Sequence, residues 1–302
     1  MTETPRELRV IWNPHAGQKV RLGGGADGAA ALRTLLEEHG LKADIRESAS
    51  PDSAGELAAE AVRDGCAVVV AAGGDGTIGQ VARVLLDTDV ALGILPLGSV
   101  MNIPRMLGLP RDLDDAAAAL ATGRRQLIDV GEARGVPFFE TASVGMNAAI
   151  FREIALIEQG DYGSLLRVLW VTFRYRPARM RVALDDRTIH TRALMVTVSN
   201  GPYMGMAMTV APAARLDDGR FDVRVFRHFS KLELLRHLGA IAFGRRRYSP
   251  HVSAHRSAFV RVEGARPLSC RADSRDLGTT PLECRVRPRC LHVIVGPDYP
   301  TD

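Results

Sequence analysis

The sequence predicts an α/β chain: an N-terminal domain built on a parallel sheet, followed by a mostly antiparallel, β-rich domain. Three observations predict it. Up to about residue 130, short apolar runs alternate with amphipathic helical patterns. Beyond that point alternating strands dominate. Between the strand-like and helix-like halves of "AVVVAAGGDGTIGQVARVLL" (67–86) lies a glycine turn, the way a chain passes from the end of a buried strand into a helix. Short apolar strands separated by amphipathic helices form a parallel sheet covered on both faces.

Taken in order, "ELRVIWN" reads as a strand and "GAAALRTLLEEHG" as a helix closed by Gly40. "LKADIRE" is a second strand. "SPDSAGELAAEAVRDG" is a helix with Ser and Asp near its start and Gly65 after its end. "AVVVAA", "TIGQVARVLL", "ALGILP" and "DLDDAAAALATG" continue as strand, helix, strand and helix. The pattern changes at "RRQLIDVGEARGVPFFETASVG", which places the boundary near 125–130 and gives domains 1–128 and 129–302. Strands then follow at "ARMRVALDD", "TRALMVTVSN", "GRFDVRVFRH", "AFVRVEG", "LECRVRP" and "LHVIVGP", with helical stretches near 145–175 and 230–243. Their alternation predicts antiparallel sheets with one wet face. The last strand has the option of returning to the first domain. "RLGGGADG" reads as a mobile loop.

At 302 residues, 46% hydrophobic and 25% charged, the chain can bury two substantial cores. It carries no apolar run long enough to span a bilayer. "MTETPRELRV" lacks the basic and apolar regions of a signal peptide, so the expected location is cytoplasmic, with a peripheral membrane association left open. Cys66, Cys270, Cys284 and Cys290 form no C-x-x-C pair and read as reduced thiols rather than a zinc site. The net charge of +4 comes almost entirely from arginine, and the 5% aromatics are not interleaved with it, so no nucleic-acid partner is expected. Arginine does suit phosphates, including lipid headgroups.

Gly74, Gly76 and Gly79 fit G-x-G-x-x-G, yet the next strand, "ALGILP", ends without the acid that a dinucleotide fold uses to hold a ribose. No Walker A loop and no G-x-S-x-G elbow occurs. Asp75 inside the turn argues further against a bare phosphate cradle. A carboxylate ~4 Å from a phosphate charge repels it by roughly 4 kcal/mol at an effective dielectric near 20. Such a residue is tolerated where a cation bridges the two, as magnesium does in phosphoryl transfer. Two neighbouring turns, "VIWNPHAG" (10–17) and "ILPLGSVMNIPRMLGLP" (94–110), also follow strands. In a parallel sheet all three open at the carboxyl edge, where ligands bind. Asn13 offers an amide there, Gly17 a close backbone approach and Ser99 a hydroxyl.

With these motifs the chain resembles the diacylglycerol kinase catalytic-domain family: bacterial lipid kinases and sphingosine kinases, with NAD kinases as distant relatives. "NPHAG" is similar to the family's N-P-x-x-G, and "GGDGT" matches its most specific motif. "LPLGS…PRMLGLP" resembles its third loop, "SNGPYMGMAMTVAPAARLDDGRFDVRVF" its middle segment, and "RADSRDLGTTPLECRVRPRCLHVIVGP" its closing Q-A-D-G-E segment. The resemblance implies an α/β nucleotide domain followed by a β-sandwich domain. It implies ATP over Asn13, Pro14, His15, Ala16 and Gly17, and over Gly74, Asp75, Gly76 and Thr77. Ser48 and Ser99 stand where the family has nucleotide-contacting threonines. It implies magnesium at "ARLDDGR", with the Asp218 carboxylate and the carbonyls of Arg215 and Arg220 as ligands.

The chain departs from the family pattern at three acidic positions. D-G-E has become Asp273-Ser274-Arg275, the glutamate after G-G-D-G-T-x-x is Gln80, and the N-D pair is Met101-Asn102. Arginine stays protonated and cannot be a general base. Asp273 is therefore the candidate base and Asp75 the support for metal and phosphate. The expected activity is ATP- and magnesium-dependent phosphorylation of a diacylglycerol-like or sphingoid lipid at an anionic membrane surface, slowed by the altered motif. The alternatives are a non-catalytic nucleotide-binding regulator or lipid sensor and, less well matched to the apolar helices, a soluble-substrate kinase. A homodimer is left open. "YGSLLRVLWVTFRYRPARMR" and "KLELLRHLGAIAFGRRRY", apolar helices ending in arginines, read either as core helices or as a lipid pocket with a basic rim.

Overall fold

The structure, a computed structural model, describes residues 8–16, 26–50, 53–146, 148, 150, 175–205, 208–227 and 251–300. The helical readings near 145–175 and 230–243, Arg245–Arg247 and most of "RLGGGADG" lie outside them. The chain separates into two compact units, Met1–Asp129 with Pro288–Asp302, and Val130–Arg287.

The first unit contains β1 (Leu8–Trp12), α1 (Ala26–Glu38), β2 (Ala43–Glu47), α2 (Ser53–Arg63), β3 (Val68–Gly73), α3 (Asp75–Leu85) and β4 (Ala91–Pro96). The short helix α4 (Asn102–Met106), α5 (Leu113–Thr122) and the start of β5 (Arg125–Ala133) complete its first pass. The second unit continues with β6 (Val136–Phe138), β7 (Thr141–Gly145), β8 (Ala178–Ala183), β9 (Thr188–Ala193) and β10 (Met195–Ser199). The short pair β11 (Tyr203–Met204) and β12 (Met208–Thr209) precedes β13 (Phe221–Phe226) and β14 (Val252–Ser257). Then come β15 (Phe259–Gly264), β16 (Ser269–Ala272), β17 (Arg275–Thr279) and β18 (Leu282–Ile294).

In the first unit the sheet order is β2-β1-β3-β4-β18, and all of these pairings are parallel. Its strands read as apolar runs because both faces are covered. Val10, Val70, Leu95 and Ile294 pack with Leu32 and Leu36 of α1 and Leu113 and Leu120 of α5. Gly40 and Gly65 take φ of 73° and 77° past the ends of α1 and α2, the left-handed region in which glycine closes a helix without a Cβ clash.

The second unit is a β-sandwich. One sheet runs β14-β13-β10-β7-β16-β17; the other places β15 between the start of β18 and β8, with β9 at the edge. Alternate residues of both sheets meet in one core that includes Phe138, Val144, Val182, Val198, Phe221, Val223 and Val262. Phe138 and Phe221 stack with ring centroids 5.6 Å apart.

Three expectations change in the structure. "TRALMVTVSN" is two strands, β9 and β10, which belong to different sheets. They part at Leu194, whose N–H donates to the Phe226 carbonyl and whose own carbonyl accepts from Met146. Conversely, "LECRVRP" and "LHVIVGP" are one strand, β18, continuous through Pro288. The residue after the proline, Arg289, sits at φ 48° and donates its N–H to the buried Asp129 carboxylate at 2.8 Å. Finally, "FDVRVF" has no wet face. Asp222 and Arg224 are about 5% and 6% exposed and pair through two bonds of 2.8 and 3.0 Å. A buried bidentate pair satisfies charges that alternation alone assigns to solvent.

All four cysteines are buried and unbridged. Burial pushes the Cys270 thiol up to about 12 and raises that of Cys284 further. Neither is a thiolate at neutral pH. Replacing Phe138 with alanine removes one partner of the ring stack from a fully buried position, and the expected loss is about 3–5 kcal/mol. Urea unfolding checks it; a change below about 1 kcal/mol would show that this core collapses around the gap.

Candidate active site

In the first unit, β1, β3 and β4 run parallel, so the turns after Trp12, Gly73 and Pro96 open at one edge. Main-chain bonds hold them in step: the Asn13 N–H donates to Ala72 and the Leu97 N–H to Gly73. Asn13 then donates from Nδ2 to the hydroxyl of buried Thr77 at 3.1 Å and accepts the His15 N–H on Oδ1 at 2.9 Å. The first turn is thereby tied to the second.

The second and third turns touch through glycines. A Cβ built on Gly98 would lie 2.6 Å from the Gly74 Cα and 2.6 Å from the Met101 sulfur. No side chain fits there without moving backbone. Met101, in the left-handed region at φ 59°, accepts the Gly98 N–H on its sulfur at 3.1 Å. Gly76 is different: it is exposed, and a Cβ on it meets nothing within 4 Å. The turn is closed on the side of the third loop and open at Gly76.

Asp75, the first residue of α3, has both oxygens on main-chain donors. Oδ2 accepts the Asn102 N–H at 3.1 Å and Oδ1 the Ile103 N–H at 3.0 Å. The negative charge in the glycine turn therefore binds the start of α4 and fixes the third loop against the second. Sequence reasoning gave Asp75 only a metal-phosphate role. The structure adds a structural one, and an ionised carboxylate retains acceptor capacity beyond two bonds.

Of the remaining nucleotide-site expectations, Pro14, His15 and Ala16 lie on the first turn, with His15 exposed. Ser99 is exposed on the third, where Arg111 donates to its carbonyl. Gly17 lies outside the described residues. Ser48 faces inward. It is 2% exposed, and its hydroxyl is engaged by the Ser50 carbonyl at 3.0 Å and the Ser53 hydroxyl at 2.8 Å. As placed, its hydroxyl is turned to the Ser50–Ser53 turn that leads into α2.

In the second unit the expected metal turn does not form a cation cage. Asp218 accepts the Arg220 N–H at 3.0 Å, and the Arg256 guanidinium forms an ion pair with its other oxygen. Arg215 pairs with Asp217 at 3.0 Å. Among the described residues no group of three His, Cys, Asp or Glu side chains comes together. Arg256 stands against Asp218 with the positive charge that magnesium would bring, and the Arg215 side chain is turned to Asp217.

The closing turn also differs from its sequence reading. Asp273, at φ 45°, accepts three main-chain N–H groups, from Phe139 at 2.7 Å, Glu140 at 3.0 Å and Thr141 at 3.1 Å. Arg271 holds the same turn through the carbonyls of Asp273 and Ser274, both at 2.8 Å. Asp273 is a clamp between the closing turn and the start of β7, a structural role that its reading as the candidate base did not include. Arg275 is exposed on β17.

Sequence reasoning missed Gly98, Met101, Arg111 and Arg271. Only Gly98 left a signal, as the glycine of a loop already singled out. Met101 and Arg271 bond main-chain groups within three residues of themselves and Arg111 the Ser99 carbonyl, and residue type alone does not announce these bonds. Asp75→Ala should expose the Asn102 and Ile103 amides and cost about 2–4 kcal/mol for two charge-assisted bonds. Hydrogen exchange at those two amides reads it directly; unchanged exchange would show that Asp75 does not hold the third loop.

Comparison with known proteins agrees with the fold. Residues 7–133 match the diacylglycerol kinase catalytic domain, and 143–295 match the YegS C-terminal NAD kinase beta sandwich-like domain. A diacylglycerol kinase of Bacillus subtilis is 24% identical over 296 residues, covering 96% of each chain. The lipid kinase YegS of Escherichia coli K12 is 25% identical over 274 residues, covering 88% of this chain and 90% of its own. The crystal structure of a diacylglycerol kinase from Bacillus anthracis superposes with a TM-score of 0.74 at 18% identity, over 98% of each chain. Two domain matches in this order and likeness along nearly the whole length lead to one assignment: the chain belongs to the diacylglycerol kinase catalytic-domain family of lipid kinases, with a YegS-type C-terminal sandwich.

Proposed function

We propose that the protein is an ATP- and magnesium-dependent lipid kinase that transfers the γ-phosphoryl group to the hydroxyl of a diacylglycerol-like or sphingoid lipid, and does so slowly. The observation that carries this reading is the joining of the three turns at one sheet edge, with Gly76 left open. The first-turn N–H groups of the eleven-residue helix α3 have no acceptor within the helix and suit phosphate oxygens. Asn13 and Thr77 fix the first turn, and the Gly74–Gly98 contact excludes side chains where a nucleotide would pass close to backbone. Magnesium, when bound with ATP, supplies charge neutralisation on the phosphates; Asp75 is the carboxylate in the turn that would hold it. The acceptor lipid places the protein at the cytoplasmic periphery of a membrane.

The acceptor hydroxyl must lose a proton. Arg275 cannot take it, and Asp273 is occupied by three amides. General-base assistance is typically worth about 10²–10⁴ in rate. Positioning and electrostatic stabilisation survive without it. The same two residues favour a second reading, a nucleotide-binding regulator or lipid sensor without phosphoryl transfer.

Two measurements test these readings. Titrating ATP with magnesium should raise the melting temperature, since the ligand binds the folded state; Gly98→Ala, which pushes the second and third turns apart, should remove that shift. With radiolabelled ATP and a panel of diacylglycerol, sphingosine and NAD, wild type should label a lipid slowly. Ser274→Gly with Arg275→Glu should raise the rate by about 10²-fold or more with ATP affinity unchanged. A wild type as fast as ordinary kinases would contradict the role given to Arg275. A double variant inert on every lipid would leave the non-catalytic reading standing.

A further inference from the structure

The edge of the second unit's sandwich carries an arrangement that the nucleotide turns do not use. In the antiparallel pair β8–β9, Arg179 lies directly opposite Arg192, and Arg181 opposite His190. Residues opposite in register project from the same face, as do those two positions along, so the four side chains share one surface. Arg179, Arg181, His190 and Arg192 are all exposed. Like charges placed directly opposite each other destabilise a strand pair.

Counter-charge is scarce. Glu263, opposite Arg181 on β15, binds it at 3.2 Å but is shared with Arg261 at 2.8 Å. Arg179, His190 and Arg192 make no side-chain hydrogen bond or ion pair among the described residues. The four side chains border an open hollow of about 550 Å³. Next to the lining residue Ala265, Arg266 donates to the Arg176 carbonyl at 3.5 Å, so two more exposed arginines adjoin the row.

We propose that this outer face of β8–β9 docks the protein on an anionic phospholipid bilayer, with Arg179 and Arg192 binding headgroup phosphates. The guanidinium fork matches phosphate oxygens, and a bilayer presents them at high density in one plane. An occupant with negative charge removes the Arg179–Arg192 repulsion that the folded chain leaves standing. The bland alternative, a merely solvated face, accounts for exposed arginines but not for two of them opposed without an acid. The biological purpose of this docking rests on the lipid-kinase reading; the binding itself does not.

The experiment is co-sedimentation of the full chain, without nucleotide, with vesicles of phosphatidylcholine alone and of phosphatidylcholine mixed with phosphatidylglycerol. Binding should require phosphatidylglycerol and weaken as salt rises. Removing an arginine near the surface weakens partitioning about fivefold, so Arg179→Ser with Arg192→Ser should weaken it about thirtyfold without lowering the melting temperature, since the variant also removes their repulsion. Arg33→Ser with Arg63→Ser removes the same net charge from exposed positions of the first unit and should leave most of the binding intact. Equal binding to neutral vesicles, equal loss in the Arg33/Arg63 control, or no loss in the Arg179/Arg192 variant would overturn the proposal. So would displacement from vesicles by millimolar inorganic phosphate, which would indicate a site for a soluble anion, or by an oligonucleotide that binds more tightly. A protein that docks this way yet phosphorylates nothing would refute the kinase reading alone. One that phosphorylates lipid yet ignores this surface would refute the docking alone.

Discussion

The candidate site depends on two pieces of main chain meeting where neither carries a side chain. Gly74 and Gly98, at the ends of adjacent parallel strands, approach so closely that a Cβ on Gly98 would fall 2.6 Å from the Gly74 Cα. That contact lets the Asp75 carboxylate reach the amides at the start of α4. It also sets the third loop beside the turn that carries Gly76. Asn13 and Thr77 add the first loop by a single side-chain bond. The acid in the glycine turn is thus part of what builds the site, since it satisfies helix-terminal N–H groups that would otherwise lack partners.

The parallel unit was largely legible in the sequence because its signals are local. Apolar β-branched runs, helical periodicity, and Gly40 and Gly65 as helix stops depend on chemistry within a few residues. β4 at "ALGILP" keeps its expected bounds, and α3 begins at Asp75, inside the glycine motif. In the sandwich, legibility fell wherever tertiary contact overrode the local pattern. Nothing in "TRALMVTVSN" announces that Leu194 turns the chain from one sheet to another. Nothing in "FDVRVF" says that Asp222 and Arg224 neutralise each other under cover. Pro288 reads as a strand end, yet β18 continues past it because the Arg289 N–H finds Asp129.

The site residues divide in the same way. Motif matching located the turns but not the orientation of the side chains within them. Ser48 and Asp273 occupy positions where the family resemblance implies chemistry, and both direct their oxygens at nearby protein groups. At Asp218 an arginine stands where a cation was expected, and at Arg275 an arginine replaces an acid. Each of these substitutes a permanent positive charge for chemistry that needs either a metal or a proton acceptor. The fold of the family is retained while an arginine stands at both places, so the proposed nucleotide binding and the proposed phosphoryl transfer are separable in a test.

The central claim is that ATP with magnesium sits on the three joined turns of the parallel unit. Hydrogen–deuterium exchange of the full chain with and without magnesium-ATP tests it most directly, because it locates binding without requiring turnover. Protection concentrated at residues 13–16, 74–77 and 97–103 is the predicted result. No protection of these turns at saturating nucleotide, or protection confined to residues 130–287, would contradict it.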